Sequence, residues 1–181
     1  MHQDCAIAER TVNTRPKQSG ASRHSAGGHR LLDANINPTT GLATDYLNHF
    51  NEAIMLLEMA ATCSDCLTDL HAWRPMSYRE HFLASKFKGR DLAVAAYEGA
   101  DPAARVRLDD LAKSMTTVIA ATRATMTADL PPQATDTLAA SAAIWLKVLV
   151  TRAGAVINGA VDVAQPSAPQ AMVDRLMKRT A

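Results

Sequence analysis

Aromatic residues are scarce in this chain: two Trp, three Tyr and three Phe among 181 residues, or 4%. Hydrophobic residues nevertheless make up 48%. A sizeable core is therefore available, and it must be built mainly from Ala, Leu, Val, Ile and Met. Ala, Leu and Met form helices readily, whereas sheets draw on aromatic and β-branched side chains. An excess of charge of one sign is also missing. Nineteen Lys and Arg stand against 18 Asp and Glu, for a net charge of +1. There is no basic stripe to release counterions from a phosphate backbone, so nucleic acid is not an expected partner.

Cysteine is sparse as well. Cys5, Cys63 and Cys66 are too few and too oddly spaced for a disulfide framework, and a reduced, cytoplasmic compartment is the simpler expectation. Residues 1–10 carry His2, Asp4, Glu9 and Arg10 with no apolar run, so no secretory signal is expected. No Gly-rich phosphate loop, Gly-x-Ser-x-Gly or His-Glu-x-x-His is present, and the scattered Ser and His specify no catalytic triad. The sequence thus leans away from an enzyme. The most apolar stretch, residues 137–161, contains Lys147, Arg152 and Asn158. Each of the two cations costs roughly 2.5–3.5 kcal/mol near a bilayer centre. A buried helix is expected there, and no membrane span.

What is present is helical periodicity. Residues 1–41 read as a disordered tail, Ser- and Gly-rich over 20–28 and closing on the turn-like run Asn37-Pro38-Thr39-Thr40-Gly41. Residues 42–181 read as one helical domain. A first helix from Thr44 or Asp45 has the stripe Tyr46, Leu47, Phe50, Ala53, Ile54, Leu57, Ala60 and Ala61, with Met55, Leu56 and Met59 on other faces. Ser64-Asp65 caps a short helix through His71, which Trp73-Arg74-Pro75 breaks. Ser77-x-x-Glu80 is a capping box, starting a helix that runs to Glu98 with a flaw at Gly89. Asp101-Pro102 starts another, with Leu108, Leu111, Met115, Val118, Thr122 and Met126 along it, ended by Leu130-Pro131-Pro132. The next spans Pro132 to Asn158-Gly159, with Leu138, Ala142, Trp145, Leu149, Ala153 and Val156 on one face, widened by Leu146, Val150 and Ile157. A last short helix follows Ser167, with Met172, Leu176 and Met177. The predicted fold is all-α: an antiparallel bundle of about four longer helices plus one or two short ones, with a disordered N-terminal tail.

Reactive side chains are densest between His49 and His81. Cys63-Ser-Asp-Cys66 has the spacing of a half-site for zinc, since two thiolates three residues apart can share one tetrahedral ion. His71 and His81 are the candidates to complete it, although no second Cys-x-x-Cys or His pair follows. The same spacing serves redox exchange, and the simplest alternative is two small, half-buried residues at a helix junction. His49 and Glu52 run in the reverse order of the Glu-x-x-His of di-iron bundles, and a boundary histidine beside a solvated acid is the preferred reading. Trp73, Arg74 and Arg79 share one loop that can clamp an anion or a partner; the preferred reading is an aromatic plug at the bundle end with arginines on its rim. The run Lys86, Lys88, Arg90 reads as a solvated face.

Two functions remain. The first is a non-enzymatic interaction or regulatory module that self-associates, as a dimer, or that binds another helical protein; its motive is more apolar helix surface than a small monomer can bury. The second is a metal- or ligand-binding bundle using the His49–His81 region.

Overall fold

In the computed structural model, residues 29–60, 62–126 and 129–160 are described. Cys5, most of the expected tail and the expected helix after Ser167 lie outside them. Among the described residues the protein is all-α. A 3-10 turn over Thr44–Leu47 leads into α1 (Asn48–Met59), followed by α2 (Ser64–Ala72), α3 (Tyr78–Ala84), α4 (Arg90–Gly99), α5 (Pro102–Thr125) and α6 (Pro132–Ile157). The longest helix, α6, packs against both α5 and α1. It runs antiparallel to α1: Leu47 lies beside Gly154, while Leu57 and Glu58 share a groove with Ala139, Ala143 and Ile144. Phe50, Leu57, Leu108, Met115, Ile119 and Leu146 fill the centre.

The helix starts follow from local chemistry. Ser77 and Glu80 form a reciprocal capping box, and the Asp101 carboxylate accepts from the Ala104 N–H ahead of Pro102 at the first helical position. At the end of α6, Gly159 adopts φ +74°. Its N–H donates to the Val156 carbonyl and that of Ala160 to the Ala155 carbonyl, the hydrogen bonds of a Schellman stop. Gly41, at φ +72°, leaves no room for a side chain, because a Cβ there would meet the Ala96 carbonyl oxygen at 2.8 Å.

Three expectations need correction. The domain border at 42 falls too late: Ala34 and Ile36 belong to the core, Ile36 bridges Ala43, and the Thr40 hydroxyl donates to the Ile157 carbonyl at 2.6 Å. The helix expected from Ser77 to Glu98 is two helices. Ser85 Oγ donates to the Phe82 carbonyl and accepts from the Phe87 N–H, turning the chain so that Phe87 packs on Phe82. The buried face of α6 is also rotated. Ala139, Ala142, Ala143, Leu146, Ala153 and Ile157 point inward, and Trp145, expected on the core face, is 40% exposed.

Candidate functional site

The chemistry-bearing residues gather at the end of the bundle where α1 starts, α2 ends and α3 begins. Trp73 follows α2 directly and is buried. Its indole stacks on the His49 imidazole at 4.5 Å between centroids, with 20° between the planes, and its N–H donates to the His49 carbonyl at 3.2 Å. His81, on α3, brings its ring within 5.9 Å of His49 and 5.7 Å of Tyr46. The Tyr46 hydroxyl donates to the Met76 carbonyl, and the Ala43 N–H donates to the Tyr78 hydroxyl. Trp73 thus fills the space between α1 and the end of α2.

The arginines of this end serve the backbone or the rim. Arg74 donates to the carbonyls of His71, Ala72 and Trp73, at the C-terminus of α2. Arg123, from α5, donates to those of Trp73 and His71 at 3.0 and 2.7 Å. Cations complement the negative end of a helix dipole there. Arg79 pairs with Glu98 at 2.9 Å on the exposed surface. Trp73, Arg74 and Arg79 therefore do not converge on a common anion position. Arg123 was missed from the sequence because nothing local links it to residues about 50 positions earlier.

Burial favours the neutral form of both histidines. Burial lowers the His49 pKa and the neighbouring His81 lowers it further, against a hydrogen bond to the Arg74 backbone. Burial also lowers that of His81, partly offset by the backbone and charge of Asp45. The His49 Nε2 is buried without a hydrogen-bond partner among the described residues, as is the Asp45 Oδ2.

The expected zinc ligands are not assembled. Cys63 and Cys66 are bonded to each other across the first turn of α2, with Cα atoms 5.4 Å apart. His71 is exposed on α2, and His81 belongs to the aromatic cluster around His49. No group of three or more His, Cys, Asp or Glu placed to hold a metal ion occurs among the described residues. Spacing alone did not distinguish a shared metal from a direct bond, because residues three apart at a helix start satisfy either.

A second feature lies on the outer face of α6. Ile144 is 64% exposed and Val148 48% exposed, one turn apart, with Trp145 beside them. Lys147 on the same helix pairs with Glu58 of α1, and Met55 and Met59 of α1 are exposed near that pair. By length and composition α6 also meets the requirements for a membrane span, with a most apolar 18-residue window of mean hydropathy 1.5 that is only 28% buried.

No family model matches the chain, and no curated protein and no solved structure matches it either.

Proposed function

We propose that this protein is a non-enzymatic interaction module of the cytoplasm, and that it self-associates through the outer face of α6. The observation that carries this reading is the exposure of Ile144 and Val148, flanked by Trp145, on a helix whose opposite face is in the core. Isolated exposed apolar residues are ordinary, but Ile144 and Val148 stand at i and i+4 on one face with Trp145 beside them, which supports a partner surface there. A second copy is the favoured partner. A two-fold axis across α6 would set Ile144 of one helix against Val148 of the other, so that one strip serves both sides. Ala140 and Ser141, one turn before this strip, are small enough for two helices to approach closely.

Lys147 weighs against a lipid partner. It sits between Ile144 and Val148 in sequence and is exposed together with its partner Glu58. Burying such a cation at a bilayer centre costs roughly 2.5–3.5 kcal/mol. At a helix–helix interface it stays at the rim, in water and paired.

Sedimentation velocity of the full chain tests this reading. At micromolar concentration the expected particle has twice the chain mass, and it dissociates on dilution. A particle of single-chain mass at every concentration overturns it.

A further inference from the structure

We propose that Cys63 and Cys66 form a reversible thiol–disulfide exchange site in which the Cys63 sulfur is the one open to attack by an external thiolate. The proposal is independent of self-association through α6. It rests on three features of the joint between α1 and α2.

The first is that the two cysteines are bonded to each other and close a loop with only Ser64 and Asp65 between them. A bond over so short a loop constrains little of the unfolded chain, so stapling the fold is a minor part of what it can do. In a reducing compartment such as the cytoplasm, disulfides that persist are chiefly transient, catalytic or redox-sensing.

The second is the difference between the two sulfurs' settings. Cys63 is half-buried at the N-cap of α2, whereas Cys66 is 6% exposed and packs in the core cluster. Exchange requires the attacking thiolate, the attacked sulfur and the leaving sulfur to approach a line, so access decides which sulfur is attacked. A bulky thiol reaches Cys63 and not Cys66.

The third is position on the helix. Cys63 is the N-cap of a nine-residue helix and Cys66 lies in its first turn, where the positive end of the helix dipole favours a thiolate. Asp65, exposed between them, acts in the opposite direction through its charge.

The exchange balances with an external dithiol as reductant. Its thiolate attacks Cys63 Sγ, a mixed disulfide forms, the Cys63–Cys66 bond breaks, and Cys66 leaves as a thiolate that takes up a proton. The second thiol of the dithiol then gives up its proton and attacks its own sulfur in the mixed disulfide. Cys63 is released as a thiolate and protonated, and the reductant departs as a cyclic disulfide. Two electrons and two protons pass to the protein.

The test uses the full chain carrying Cys5→Ser, so that only two thiols remain. It is equilibrated in buffers of increasing dithiothreitol against its oxidised form, acid-quenched and labelled with maleimide for mass measurement. The expected result is that two labels appear together, and that glutathione disulfide reverses the change. A chain that never regains the bond under glutathione disulfide overturns the proposal. With glutathione disulfide as probe, Cys63 in the added Cys66→Ser variant should form the mixed disulfide on the order of tenfold faster than Cys66 in the added Cys63→Ser variant. Equal rates, or the reverse order, overturn the assignment of Cys63. Where a serine variant loses its helical circular dichroism, peptide mapping of the glutathione adduct on the partly reduced Cys5→Ser chain decides the same point: adduct on Cys63 supports the assignment, and adduct on Cys66 or on both equally overturns it.

Discussion

The indole of Trp73 lies flat on the imidazole of His49, 4.5 Å between centroids, while its N–H reaches back to the carbonyl of the same histidine at 3.2 Å. One side chain thereby joins the loop after α2 to the first turn of α1 by both a stacked face and a hydrogen bond. The two contributions separate by mutation. Trp73→Phe keeps an aromatic face and loses the donor, and should cost about 1 kcal/mol of unfolding free energy. Trp73→Ala removes the whole plug and should cost about 3–5 kcal/mol. Urea unfolding followed by circular dichroism reads both. A phenylalanine variant as weak as the alanine variant would show that the stack contributes nothing.

The histidines behind that plug make stability depend on pH. Both His49 and His81 have folded-state pKa values below the ordinary 6.5, so the fold favours their neutral forms. The unfolded chain binds the protons more readily, and stability is full above pH 6.5 and declines as pH falls through that value. His81 has Asp45 to offset part of the effect, whereas among the described residues no acid does so for His49. His49→Phe, which keeps a ring of similar size in the stack, should therefore flatten the acid side of the profile. Unfolding free energies measured from pH 8 down to pH 5 check this, and an unchanged acid slope in the variant refutes the assignment.

Two buried tyrosines at this end make opposite kinds of hydrogen bond. The Tyr78 hydroxyl accepts the Ala43 N–H at 2.9 Å, whereas the Tyr46 hydroxyl donates to the Met76 carbonyl at 2.9 Å. Tyr78→Phe strands a buried backbone donor and should cost about 1–3 kcal/mol; Tyr46→Phe removes one bond from a carbonyl and should cost about 1 kcal/mol. Hydrogen exchange adds a local signature. The Ala43 amide should exchange faster in the Tyr78 variant and not in the Tyr46 variant, and equal protection in both would contradict the account.

How far all this could be read from the sequence depends on the range of the interactions. Ser77 with Glu80, Asp101 with Pro102, and Gly159 after Asn158 mark helix ends because the hydrogen bonds that stop or start a helix are made within three or four residues. The break between α3 and α4 shows in the sequence only as the flaw at Gly89, which is the N-cap of α4. Lys86-Phe87-Lys88 carries no strong breaker, and the turn depends on Phe87 packing against Phe82 and the Ser85 hydroxyl closing the corner. Ala34 and Ile36 read as tail because no helical period runs through them: Ile36 is held by its bridge to Ala43, and Ala34 lies against the Gly89 corner. Trp145 falls on the expected core face by spacing alone, whereas small alanines at 139, 142 and 143 let α6 pack closely on its neighbours and turn the larger residue out. At the site, the cluster from His49 to His81 was visible as a density of reactive residues. Its internal arrangement was not, because stacking on Trp73 and capping by Arg123 are contacts across 24 and 50 positions.

The proposed self-association and the stability of the core can be separated on α6, because the strip and the core occupy opposite faces. Ile144 and Val148 are exposed, whereas Leu146 between them is fully buried. Ile144→Ser with Val148→Ser should leave the stability of the single chain within about 0.5 kcal/mol, as surface substitutions generally do. Helix propensity changes little from Ile and Val to Ser. The same pair should lower the sedimenting particle from the mass of the proposed dimer to that of a single chain at micromolar concentration. Leu146→Ala should do the reverse: it costs about 2–5 kcal/mol by opening a cavity, yet leaves the strip in place, so the fraction that remains folded still associates. Loss of association on Leu146→Ala with retention in the double serine variant would place the interface elsewhere than on the outer face of α6.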